Sequence, residues 1–234
     1  MNIKTKIRLT IAATVICLLG VVSPAGAAII FTNTQVNESG TGFGSRLTVL
    51  AVQQQGNNST EFGSILWNGA ADVDTDDSTN QSETQTVADL LAEGINENTL
   101  TVIFNINEGG DAAPVLTLHD FALIFQNAAG AELFRETYTA PVGGLDLDQA
   151  GSGNGASGWK FNVAFANPAA AAAFFSVPTN RLGMVIASDQ AIEDTKGGAE
   201  SFFVIAPVPE PSSALLCLVG LGSVLGFTRS RNKR

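Results

Sequence analysis

Counting from Asp72, oxygen-bearing side chains stand at the first, third, fifth, seventh, ninth and twelfth places: Asp72, Asp74, Asp76, Ser78, Asn80 and Glu83. This is the spacing of an EF-hand type calcium loop, and Ca²⁺ suits it because that hard cation gathers several oxygen ligands at once. Asp77 occupies the sixth place, where the sharp turn of such a loop wants Gly, and no helical pattern precedes Asp72. Two readings are therefore open: Asp72, Asp74, Asp76, Ser78 and Glu83 as ligands of a weak Ca²⁺ site, or a solvated acidic connection between strands. Apart from this ion the sequence implies no cofactor.

The single histidine, His119, precedes Asp120 in an alternating apolar run. A hydrolytic triad would place it beside a serine and a carboxylate, but no Gly-x-Ser-x-Gly elbow accompanies it, and one histidine cannot build a multi-histidine metal centre. It reads as a side chain satisfied within or beside a sheet. A carboxylate pair for glycoside cleavage has too many candidates in so acidic a chain for any to be nominated, so no catalytic residue is assigned. Trp67, Trp159 and Tyr138 have faces suited to sugar rings, although core packing is the default for aromatics on alternating strands.

The elements that must position these groups read as strands. Leu100 to Ile106 alternates, with Leu100, Val102, Phe104 and Ile106 on one face and Thr101 and Asn105 on the other. Turn chemistry follows at Asn107 to Asp111, then a long strand from Val115 to Gln126, a turn at Asn127 to Gly130 and a strand from Glu132 to Tyr138. Together these predict a three-stranded meander. Further strands fall at Ile29 to Thr32, Leu47 to Gln53, Phe62 to Trp67, Trp159 to Phe165, Leu182 to Ala187 and Phe202 to Ala206. About nine strands in one all-β body predict a two-sheet β-sandwich or jelly roll.

Two short helices accompany them. Thr86 to Asp89 has capping-box spacing, with Gly94 as the stop. Asn167 caps the second, Pro168 opens it, and it ends before Pro178. Gly143 to Gly158 is the longest stretch without periodicity and reads as a mobile loop.

Net charge is −10, and it is unevenly placed. The body, residues 28–206, holds Arg46, Arg135, Lys160, Arg181 and Lys196 as its only basic residues, against every acidic residue of the chain except Glu210. Such a surface repels phosphate backbones, which excludes nucleic acid as a partner. Cys17 and Cys217 both lie outside the body, so thiol catalysis and cysteine-held metals are excluded there and an apolar core must supply stability.

Both ends read as targeting segments. Lys4, Lys6 and Arg8, then the apolar stretch Leu9 to Val22 and small residues up to Ala27, form a signal peptide over residues 1–27 cleaved after Ala27. At the other end, Pro209-Glu210-Pro211 precedes an uncharged run from Ala214 to Phe227 and a basic cluster ending at Arg234. As a helix that run is roughly 21 Å long at 1.5 Å per residue, short for a permanent span. Residues 208–234 resemble the PEP-CTERM sorting signal of Gram-negative bacteria, with Pro209, Glu210 and Pro211 as the recognition motif.

The resemblance implies removal of the segment by an exosortase, a transient membrane helix over 214–227, and association with exopolysaccharide, biofilm or the cell surface. It implies nothing about residues 28–206. The expectation is an exported, non-enzymatic protein of the cell surface or extracellular matrix. A Ca²⁺-assisted, glycan-binding adhesin or lectin-like module is the alternative, with a polysaccharide hydrolase behind it.

Overall fold

The computed structural model describes residues 28–37, 46–53, 59–107, 115–148, 157–195 and 198–206. The expected signal peptide, the Pro209-Glu210-Pro211 motif and the 214–227 run lie outside the described residues, among which no helix is long and apolar enough to cross a membrane. In chain order the elements are β1 (Ala28–Asn37), β2 (Leu47–Gln53), β3 (Thr60–Glu61), β4 (Gly63–Trp67), β5 (Asp72–Asp76), β6 (Gln85–Thr86), α1 (Val87–Ala92), β7 (Thr101–Asn105) and β8 (Val115–Leu118). Then follow β9 (Phe121–Gln126), β10 (Glu132–Tyr138), β11 (Leu145–Asp148), β12 (Ser157–Ala164), α2 (Pro168–Phe175), β13 (Arg181–Ile186), β14 (Ile192–Glu193) and β15 (Ala199–Ile205).

All pairings are antiparallel, and the strands sort into three sheets where two were expected. The first has the order β1-β12-β7-β15-β2, the second β10-β9-β13-β4-β5 with β6 beside β13, and a small third sheet runs β11-β8-β14-β3. The two larger sheets face one another through aromatic rings. Phe121 of β9 meets Phe161 of β12 edge-on at 5.4 Å and Phe202 of β15 at 5.2 Å, while Phe104 and Phe202 stack at 4.5 Å within the first sheet. Offset and edge-on pairs of this kind add to the apolar area they bury.

The expected meander does not form. β7 pairs with β12 and β15 in the first sheet, whereas β9 and β10 make a hairpin in the second. β7 is the central strand of its sheet, and all of its residues are buried, Thr101 and Asn105 included. The long strand expected from Val115 to Gln126 breaks at His119 and Asp120 into β8 and β9, which belong to different sheets. Asp120 Oδ1 accepts from the Ala140 amide at 2.8 Å, holding the break with a backbone group twenty residues away. Part of the expected mobile loop is also ordered: Leu145–Asp148 is β11, in register with β8.

Both helices form as expected. The Thr86 side chain accepts from the Asp89 amide, and Gly94 at φ +75° ends the turn after α1. The Asn167 side chain accepts from the Ala170 amide, with Pro168 at the first helical position of α2. Phe174 and Phe175 of α2 drop into a cluster with Phe125, Phe134 and Phe165, sealing one end of the space between the sheets.

Strand directions give the body two distinct ends. Ala28 pairs with Ala164, and Asn162 and Ile205 both pair with Thr101, so the start of β1 and the finish of β15 lie at the same end of the first sheet. That is also where α1 and α2 sit, and it is termed the helical end. The third sheet lies at the opposite, far end, because β3, β8 and β14 connect into the far ends of β4, β9 and β13.

Candidate functional site

The calcium pattern takes a form other than a loop. Asp72, Asp74 and Asp76 alternate along β5, an edge strand paired to β4 with Trp67 opposite Asp72 and Gly63 opposite Asp76. An extended chain strings alternate side chains out at roughly 6.6 Å intervals instead of wrapping them around one centre. The Asp72 carboxylate accepts from the amide of Thr84 at 3.2 Å and from its hydroxyl, and Arg181 Nη1 lies 3.8 Å away.

Ser78 donates to Ser82 at 2.9 Å, and Glu83 is exposed. Asp77, the residue in the glycine position, accepts from the Phe62 amide, and burial raises its pKa above the ordinary carboxylate value. Among the described residues no group of three or more His, Cys, Asp or Glu side chains is gathered as a metal site.

What the stretch does is join the sheets. The Gln53 amide donates to the Asp77 carbonyl, the Thr79 amide to Ala51 and the Glu83 amide to Val49, so residues 77 to 83 cover the outer edge of β2. Covering an edge strand in this way prevents it from templating a second chain.

The other singled-out side chains are held apart. Tyr138 is buried and stacks on Phe121 at 5.4 Å. The Trp159 ring rests on Phe31 at 5.6 Å, and its Nε1 donates to the Asp148 carbonyl at 2.8 Å. Trp67 and Tyr138 share the second sheet, on β4 and at the opposite end of β10, while Trp159 lies on the first, so the three aromatics form no common platform. At the far end His119 Nε2 stands 3.4 Å from Glu193 Oε2, near enough for an ion pair when protonated but without hydrogen-bond geometry.

Among the described residues a further surface feature surrounds Trp67 at the helical end. Arg181, the first residue of β13, lays its guanidinium over the Trp67 ring at 3.8 Å from the centroid and donates to the Thr84 hydroxyl at 2.9 Å and its carbonyl at 3.2 Å. The indole Nε1 donates to Ala128 at 2.8 Å. Behind it the buried Gln126 amide accepts from the Trp67 amide and donates to the carbonyls of Trp67 and Gly130, at 2.8 to 2.9 Å.

Gly130, at φ +83°, makes the turn that allows this, and a Cβ there would lie 2.7 Å from the Trp67 carbonyl. The result is an open groove of about 420 Å³ lined by Trp67, Thr86, Ala88, Ala128, Pro178 and Arg181. A guanidinium stacked on an indole contributes about 1 kcal/mol where partly exposed, and the groove offers an amphipathic aromatic beside a fixed cation. Sequence reasoning weighed Trp67 but missed Arg181 and Gln126. The available signal was the scarcity of basic residues in the body; which strand faces Arg181 is a tertiary fact.

Comparison with curated proteins and with solved structures gives no match. Comparison with family models matches residues 207–234 to the PEP-CTERM protein-sorting motif. The stretch includes Pro209, Glu210 and Pro211, the apolar run and the basic cluster, and it begins two residues after β15 ends. The chain carries a PEP-CTERM sorting signal, which implies a protein targeted to an exosortase and exported.

Proposed function

We propose that this protein is a non-enzymatic component of the cell surface or extracellular matrix, delivered there by exosortase processing and associated with exopolysaccharide. The single observation that carries this reading is the sorting motif at residues 207–234, placed directly after the last strand of the body. The body supports it in kind. Its stability comes from a continuous apolar core and from antiparallel pairing, while both cysteines of the chain lie in the two end segments.

Several of the polar side chains of the body serve the fold, which supports the reading. Asp72 ties Thr84 and Arg181, the Asp148 carboxylate accepts from Gln35, and Thr117 donates to Asp146 at 2.8 Å. No observation favours the glycan-binding alternative in the form expected for it, since its three aromatics lie apart and β5 is extended.

The test replaces Pro209, Glu210 and Pro211 together with alanine in the native host. The altered protein is expected to stay in the membrane fraction as the uncut precursor, while the natural sequence reaches the surface or medium in shortened form. Equal release of both would contradict the reading.

A further inference from the structure

Residues on both sides of the body lead away from the helical end. Ala28 starts β1 there and Ile205 finishes β15 there, with β12 and β7 between them in the sheet. At the usual strand spacing of about 4.8 Å the two points are roughly 14 Å apart. The uncharged run begins at Ala214. A chain reaches at most ~3.5 Å per residue, so the finish of β15 cannot stand more than roughly 30 Å from the apolar run. Whatever holds that run in a bilayer keeps the helical end within roughly 30 Å of it, close enough to touch the bilayer surface.

The surface at this end differs from the rest of the body. Ile30, Val73, Leu91, Leu133 and Val177 are the large apolar side chains exposed there, against Val115 and Val142 at the far end. α2 carries no charged residue, and Ala169, Ala172 and Ala173 face outward from it. α1 turns Ala88, Leu91 and Ala92 outward, on one helical face. The two helices adjoin, since the amides of Val87 and Ala88 donate to the carbonyls of Asn180 and Pro178. Between them opens the groove with Trp67 and Arg181. The far end differs in charge: the third sheet and the described connections into it expose Asp146, Asp148, Asp189, Glu193 and Asp194 with no Lys or Arg, whereas the helical end sets Arg135 and Arg181 among Asp89, Glu93, Glu97 and Glu132.

We propose that the helical end is a membrane-contact surface, seated on the phospholipid bilayer while the sorting segment is attached, with Trp67 and Arg181 at headgroup level and the acidic far end held outward. The chemistry fits a lipid interface. Apolar side chains enter the acyl boundary, an indole prefers the interfacial layer, and a guanidinium pairs with headgroup phosphate. Among the described residues the far end has no cation to offset its acids, so anionic headgroups repel it more than the helical end with Arg135 and Arg181, which favours the same orientation. The inference rests on the reading above, that residues 207–234 hold the chain at a membrane before cleavage.

The molecule contains its own probes, because its two tryptophans lie at different heights. Trp67 is at the helical end, whereas Trp159 is five residues up β12 from Ala164, roughly 16 Å at 3.3 Å per residue. Full-length chain is reconstituted into phosphatidylcholine–phosphatidylglycerol vesicles bearing bromines on the acyl chains, as Trp159→Phe and, separately, as Trp67→Phe. Flotation with the vesicles reports attachment, and bromine quenching reports seating. The expected result is loss of most of the Trp67 emission with Trp159 emission unchanged, and recovery of the Trp67 signal when Leu91→Asp and Val177→Asp are added to the floating protein.

Flotation without quenching of Trp67, or equal quenching of both tryptophans, overturns the seating while leaving attachment intact. Trp67 protected only when exosortase is co-reconstituted would likewise overturn it, by making a protein the occupant. Failure to float overturns both readings.

Discussion

The two ends of the body are built differently. At the helical end Phe125, Phe134, Phe165, Phe174 and Phe175 interlock, Gln126 is satisfied on three sides, and Arg181 is stacked and hydrogen-bonded. At the far end short strands of two to four residues pair through few rungs, and the side-chain ties are single contacts such as Thr117 to Asp146 and His119 to Glu193. The Phe125–Phe174 cluster thus lies beside the points from which both end segments depart, while the core itself runs on into the far end through Leu116, Leu118, Leu147 and Ile192. The acidic, thinly paired end is left to face solvent or a partner.

The largest expected effect sharpens that contrast directly. Phe174 stands edge-on to Phe125 at 5.0 Å and to Phe175 at 5.2 Å, and it is almost fully buried. Phe174→Ala is expected to cost about 3–5 kcal/mol in denaturant unfolding, through lost burial and the cavity left behind. Thr117→Val at the far end removes one hydrogen bond and is expected to cost about 1 kcal/mol. Comparable losses from the two would break the comparison.

A smaller effect compares two single charges. Arg181→Gln loses the stack on Trp67 and the donors to Thr84, leaving Asp72 without its nearby cation. A loss of about 1–3 kcal/mol is expected. His119→Gln gives up only a half-exposed ion pair, which contributes between about 0 and 1 kcal/mol. Thermal unfolding of the two variants side by side checks this order.

The smallest effect is one of pH. Burial raises the Glu136 pKa above its ordinary value, with a backbone hydrogen bond from Ala166 opposing the shift. The folded state therefore binds the proton more tightly than the unfolded chain. The contribution of Glu136 to stability is largest below the ordinary carboxylate pKa and falls as pH rises from there through the raised value. Glu136→Gln is expected to flatten that fall in urea midpoints measured across the acid range; an unchanged slope would remove Glu136 as its cause.

How much of this could be read beforehand follows from where the information lies. Leu47–Gln53 and Glu132–Tyr138 form strands with the boundaries their alternation implies, and the caps at Thr86 and Asn167 act as their side chains dictate. Those signals are local. The break at His119 and Asp120 was hidden because the apolar alternation runs through it, and what holds it is the Ala140 amide.

The acidic stretch admits both of its readings for a geometric reason. Oxygens at alternate positions suit a calcium loop, but a period of two is also the period of a strand, and an edge strand tolerates acids on both faces. The Trp67–Arg181 groove depends on β4 and β13 being neighbours, which no local pattern encodes.

The most direct test of the account is the intact mass of the protein recovered from its native host. The account predicts a chain that begins near Ala28 and ends near Pro209-Glu210-Pro211, both segments that leave the helical end having been removed. A mature surface protein that retains residues through Arg234 would contradict it.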